Sequence, residues 1–148
     1  MYSRHSDRSS ADPFDLERFV SAQQHVYKSV LSELEAGKKT GHWMWFIFPQ
    51  IQGLGRSPTA IEYAMSSREE AKAYLQHPVL GPRLKECARL VVLVEGRSAH
   101  EIFDSPDDMK FRSSMTLFSE VSQGEAIFKR ALQKYFNGAP DPLTLDRL

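Results

Sequence analysis

Apolar side chains recur along this chain three and four positions apart, the spacing that places them on one face of an α-helix. Leu16, Phe19, Val20, Val26, Tyr27, Val30, Leu31 and Leu34 form one such stripe. Leu80, Leu84, Cys87, Val91 and Val94 form a second. A third runs through Phe111, Met115, Phe118 and Val121, and a fourth through Ile127, Phe128, Ala131, Leu132 and Tyr135. Two runs, "WMWFIF" from Trp43 and "LVVLV" from Leu90, are rich in aromatic or β-branched residues and also fit strands. The second continues a helical stripe, which favours helix there.

Punctuation between the stripes agrees. Asp12-Pro13, Ser57-Pro58, Ser105-Pro106 and Asp141-Pro142 each place a capping residue before a proline, and His77-Pro78 is a weaker case. Proline loses no intrahelical bond in a first turn, and Ser or Asp ahead of it can accept from the free amides. Ser67-x-x-Glu70 and Ser98-x-x-Glu101 have the form of capping boxes. Gly37, Gly96, Gly124 and Gly138 stand where helices should stop. The pattern predicts an all-α fold, a single compact domain over residues 12–148 built as an orthogonal array of about six to eight short helices. Helices should start near Asp15, Ser57, Ser67, Leu80, Ser105, Glu125 and Asp141, after a flexible tail at residues 1–11.

Composition narrows the function classes. Lys+Arg and Asp+Glu balance at 19 each in 148 residues, so the broad positive field that suits nucleic acid or an anionic membrane is missing. The N-terminal segment lacks an apolar signal region, no apolar run could span a bilayer, and a cytoplasmic protein is the expectation. One cysteine, Cys87, rules out an internal disulfide and reads as a small buried hydrophobe. The histidines His5, His25, His42, His77 and His100 show no metal-ligand spacing, so neither a metal nor a cofactor is expected.

Polar residues on apolar faces mark the candidate site. Projected at about 100° per residue, Lys110 and Ser114 fall inside the apolar arc of the third stripe. Asp108 and Arg112 flank it as an i,i+4 pair, and Gln23 sits mid-stripe in the first helix. An unpartnered buried amide or charge costs several kcal/mol, so these residues point to a polar pocket within the helical array. Snorkelling of Lys110 and a back-bond from Ser114 are the simpler alternatives.

The stretch "GHWMWFIFPQIQGLGRSP", residues 41–58, supplies the rest. Gly53 and Gly55 permit positive φ, Arg56 offers a fork of donors, and Ser57-Pro58 opens a helix, a combination suited to phosphate or carboxylate. It lacks the third glycine and the acidic residue of a dinucleotide fingerprint. Within the aromatic block, Trp45, Phe46 and Phe48 are expected in the core. Trp43 and His42, with Gln50 beyond, are expected on a pocket wall where a flat ligand could stack.

The blocks "DPFDLERFVSAQ", "GHWMWFIFPQIQGLGRSPTAIEYA", "AYLQHPVLGPRL" and "DDMKFRSSMTLF" together resemble a bacterial family of unknown function whose members are often labelled calpastatin. That resemblance implies a small all-helical fold and no established activity. A calpain inhibitor would be long, disordered and repetitive, whereas this chain is single-copy. The order of the aromatic block, "AIEYAM" and "FRSSMTLF" is also loosely similar to the NADAR superfamily, which acts on N-glycosidic bonds linked to NAD and ADP-ribose. The terminal acidic and Trp-Gly block of that superfamily is missing here.

The expected function is therefore binding of an anionic or nucleotide-like small molecule, with N-glycosidic hydrolysis or transfer as its catalytic extension. Ligand-binding candidates are Gln23, His42, Trp43, Gln50, Gly53, Gly55, Arg56, Arg112 and Ser114. Asp108, Lys110 and Glu62 are the catalytic candidates: a carboxylate near an oxocarbenium-like centre and a cation for charge. The alternative is a non-catalytic protein-interaction module with the aromatic block as its docking patch.

Overall fold

In the computed structural model, which describes residues 11–148, ten helices follow one another with no named strand among the described residues. They are α1 (Glu17–Gln24), α2 (Tyr27–Glu35), α3 (Met44–Ile47), α4 (Pro58–Glu62), α5 (Arg68–Gln76), α6 (Leu80–Leu93), α7 (Ala99–Phe103), α8 (Asp107–Val121), α9 (Ile127–Phe136) and α10 (Pro142–Asp146). The all-α expectation holds, with more and shorter helices than predicted. The tail expected at 1–11 lies outside the described residues except for Ala11.

The capping signals place the helix starts. Ser57, Ser67, Ser98 and Asp141 each accept a bond from the backbone of the helix that follows, and Ser98 with Glu101 makes the full capping box. Asp12 acts at longer range, its carboxylate oxygens accepting from Leu16 N at 2.7 Å and Glu17 N at 2.9 Å. Ser105 does not cap; α8 begins at Asp107, after Pro106. Asn137 and Gly138, both at positive φ, end α9.

Two segments depart from the stripes. The first stripe is split at His25 and Val26, where Val26 N bonds back only three residues, to Gln23 O at 3.1 Å. The tighter turn divides one expected helix into α1 and α2. "WMWFIF" is the short helix α3 and not a strand. The sole pairing of strand type is an isolated parallel bridge between Ile51 and Met65 among the described residues.

The core lies between the two longest helices. α8 packs against α5, α7, α9 and α10, while α6 packs against α2, α3, α5 and α9. Edge-to-face rings link their neighbours: Phe48 meets Phe103 and Phe111, and Phe19 meets Tyr74. Such contacts add to the area term, roughly 0.5–1.5 kcal/mol per pair. Gly81 is required where α5 turns into α6, because a β-carbon there would fall 2.1 Å from the Leu75 carbonyl oxygen. Lys134 of α9 donates to Val92 O and Val94 O, and Tyr135 Oη donates to Val91 O, which also accepts from Val94 N, so α9 fastens the C-terminal end of α6.

Candidate functional site

A groove of about 800 Å³ lies between the segment 13–18, the loop 52–56 and the start of the α4–α5 region. Arg18 organises its floor. Nε donates to Glu62 O at 2.9 Å, and Nη1 donates to Phe14 O at 2.6 Å and Asp15 O at 2.9 Å. Nη2 donates to Ala64 O at 3.1 Å and to Glu70 Oε2 at 2.9 Å. All five guanidinium donors are thereby engaged, so Arg18 shapes the groove and is not free to hold a ligand. Glu70 completes the floor, its Oε1 accepting from both Ser66 N and Ser66 Oγ at 2.8 Å.

The loop forms the opposite wall. Gln52 N donates to Met65 O and Met65 N to Gln50 O, both at 2.8 Å, fixing the loop's entry. Gly53 has φ +93°, a conformation that glycine adopts without strain. Ser57 Oγ accepts from Ala60 N at 3.1 Å and starts α4. Arg56 lines the groove, is exposed, and has no hydrogen-bond or ion-pair partner among the described residues. Phe14, Pro13 and Ile61 give the groove its apolar surface, and Ile61 is 64% exposed.

Beside the groove, sharing Gly55 and Ala64 with it, lies a cavity of about 10 Å³ lined in part by Trp45, Gln50, Tyr63 and Lys110. That volume holds about one water molecule. Lys110 Nζ stands 4.7 Å from the Trp45 ring centre and 3.4 Å from Asp107 Oδ1. The Trp45 Nε1 atom is buried without a hydrogen-bond acceptor.

Of the sequence candidates, Gly53, Gly55, Arg56 and Glu62 line the groove, while Gln50 and Lys110 line the adjoining cavity. The structure does not bring the others to either. Gln23 is fully buried and cross-braces the core: Nε2 donates to Phe46 O at 2.7 Å and to Tyr74 Oη at 3.0 Å, and Oε1 accepts from Arg83 at 3.3 Å. Arg112 donates to Ala139 O and Pro140 O and anchors the C-terminal segment. Asp108 faces His100, Nδ1 to Oδ2 at 3.4 Å. His42 is exposed, and Ser114 Oγ is buried with no hydrogen-bond partner among the described residues.

The two tryptophans exchange the places expected for them. Trp43 is 2% exposed in the core, and its Nε1 donates to Glu33 Oε1 at 2.9 Å. Trp45 is half-buried beside Lys110. Trp43 is the N-cap of α3, just ahead of its first turn, while Trp45 stands within the helix. Phe48 is in the core as expected, and Phe46 is half-buried. Burial pushes the Cys87 thiol up to about 12, in keeping with its reading as a buried hydrophobe.

Comparison with known proteins gives a family. A family described as "Protein of unknown function (DUF1810)" matches residues 13–148. The chain belongs to the DUF1810 family. The crystal structure of the conserved hypothetical protein Rv1873 from Mycobacterium tuberculosis, at 1.38 Å, is 58% identical in sequence and superposes with a TM-score of 0.92. The match covers 93% of this chain and 98% of the mycobacterial one. No curated protein matches. Neither the calpastatin label nor the NADAR superfamily finds support in these matches.

Sequence reasoning missed the residues that build the groove of this DUF1810 member, above all Arg18 and Glu70. A trace of the signal was present. Ser67-x-x-Glu70 forms only half of a capping box: Ser67 Oγ accepts from Glu70 N at 3.1 Å, while the Glu70 carboxylate turns to Ser66 and Arg18. The described residues contain no group of His, Cys, Asp and Glu that could hold a metal, and no helix long and apolar enough to cross a membrane.

Proposed function

We propose that this DUF1810 protein binds a small molecule with an apolar body and a single anionic group in the groove, without transforming it. The observation that carries this reading is a concavity whose internal charge pair is satisfied and whose rim keeps Arg56 without a partner among the described residues. A volume of about 800 Å³ suits a drug-sized ligand. Phe14 and Ile61 offer apolar surface to the body of the ligand, and Arg56 offers a fork to its charged end.

Charge narrows the nucleotide-like class that the sequence favours. The lining carries Arg18 and Arg56 against Asp15, Glu62 and Glu70. A polyphosphate would meet more carboxylates than guanidiniums, whereas a single anionic group needs only Arg56. Catalysis lacks a convergent set, because Glu62 lines the groove, Lys110 the neighbouring cavity, and Asp108 faces His100.

A thermal-shift panel of aryl carboxylates, aryl phosphates and nucleotides tests the proposal. A ligand at 100 times its Kd should stabilise the fold by about 2.7 kcal/mol, and Arg56→Met should remove that gain without lowering the melting temperature of the free protein. A panel that shifts nothing would overturn the reading. The 64% exposure of Ile61 on the groove lip supports the protein-interaction alternative, which would then take its place.

A further inference from the structure

The groove loop carries a second guanidinium that its lining residues do not reveal. Arg147, immediately after α10, sits against Gly53: a β-carbon built on that glycine would fall 2.3 Å from Arg147 Nη1 and 2.5 Å from Cζ. The guanidinium thus occupies the space of the missing side chain. Gly53 therefore serves two purposes, a backbone at φ +93° and a seat for Arg147.

The seat is built from a distance. Asp141 Oδ2 accepts from Ser113 Oγ at 2.7 Å and Thr144 Oγ1 at 2.6 Å, and Asp141 N donates to Thr116 Oγ1 at 2.8 Å. These bonds fasten the start of α10 to α8 and set the position from which Arg147 reaches the loop. Arg147 is exposed and has no hydrogen bond or ion pair among the described residues. Two unpartnered cations, Arg56 and Arg147, consequently attend the same short loop. An anion bound at this loop would offset both charges.

We propose that Arg56 and Arg147 together clamp the ligand's anionic group, and that this group is a phosphate monoester. Two guanidiniums carry two positive charges, which a carboxylate offsets by only one, while a phosphate monoester offers three acceptor oxygens and close to two charges. Arg147 does not itself line the groove; seated against Gly53, it adds one guanidinium beside the loop that carries Arg56. The inference rests on the groove being the ligand site.

Phenyl phosphate and benzoate, which share a ring and differ in the anion, are the probes. Their binding is followed at constant pH by the amide resonances of Gly53 and Gly55. The wild type should bind phenyl phosphate about tenfold tighter than benzoate. Arg147→Gln should lower phenyl phosphate affinity about tenfold and change benzoate affinity by no more than about twofold. Arg130→Gln, which removes an exposed charge elsewhere, should change neither. If Arg147→Gln leaves phenyl phosphate binding intact while Arg56→Gln abolishes it, the clamp is wrong and the groove reading survives. If neither probe perturbs the loop amides of the wild type at about ten millimolar, affinities in the useful range are excluded, and both readings fall.

Discussion

Arg18 Nη2 and Glu70 Oε2 meet at 2.9 Å beneath the groove, with the glutamate side chain 3% exposed and the arginine 17%. The pair joins α1 to α5 across 52 positions of sequence. The other donors of Arg18 bind the carbonyls of Phe14, Asp15, Glu62 and Ala64, and Glu70 Oε1 accepts from Ser66, so the pair ties the segment 13–18 to residues 62–66. Removing one member leaves a buried charge uncompensated, which costs more than the pair itself contributes.

Arg18→Met should therefore destabilise the protein by about 3 kcal/mol, the lower end for a broken buried pair. Urea denaturation measures it directly. A loss below about 1 kcal/mol would place the pair among ordinary surface bridges and remove the reason to regard the groove as rigid.

Asp141 gives the stability a readable pH dependence. Burial raises its pKa, but the hydrogen bonds from Thr144, Ser113 and the Leu143 amide outweigh that and leave it below the usual aspartate value. A depressed folded-state pKa contributes stability that is full above the unfolded value, about 3.9, and that disappears as pH falls through the folded one. Asp141→Asn should be less stable than wild type at neutral pH, with the difference shrinking below about pH 4. A gap that stayed constant down to acid pH would mean the carboxylate's charge is immaterial and only its shape counts.

Helix starts were legible in the sequence because a cap is local: Ser57, Ser67, Ser98 and Asp141 act on backbone within three residues. Gln23 was legible as a residue off its pattern. Its partners, the Phe46 carbonyl and the Tyr74 hydroxyl, lie 23 and 51 positions away, so its role was not. Arg18 follows no pattern at all and finds its acceptors through tertiary structure. The exchange of Trp43 and Trp45 has a similar origin: both are aromatic, and the acceptor that receives the Trp43 indole, Glu33, stands ten positions away on α2.

Ser114 stands on α8 with its hydroxyl buried and unpartnered. A hydroxyl without a partner carries an unrecovered desolvation cost, and alanine is the better helix former. Ser114→Ala should raise stability by about 1 kcal/mol. A comparable loss, measured by the same urea titration, would show that the oxygen has a bound water as a partner.

Lys110 is held by two weak contacts rather than one strong one: Asp107 at 3.4 Å and the face of Trp45 at 4.7 Å. Asp107 has a closer partner in Lys39, at 2.8 Å, and would not be left unpaired if Lys110 were removed. Cation–π attraction at a partly exposed site is worth about 0.5–1 kcal/mol, and the ion pair adds little at this distance. Lys110→Met keeps the aliphatic stem on the indole and removes the charge, so the expected change is a loss of no more than about 1 kcal/mol. Trp45 fluorescence supplies the structural readout, with Trp43→Phe as the background so that only the half-buried indole reports. Its emission should shift when the ammonium leaves its face. An unchanged spectrum with a loss well above 1 kcal/mol would mean that Lys110 is anchored by a partner other than Trp45, and that the small cavity beside the groove is organised differently from the arrangement described.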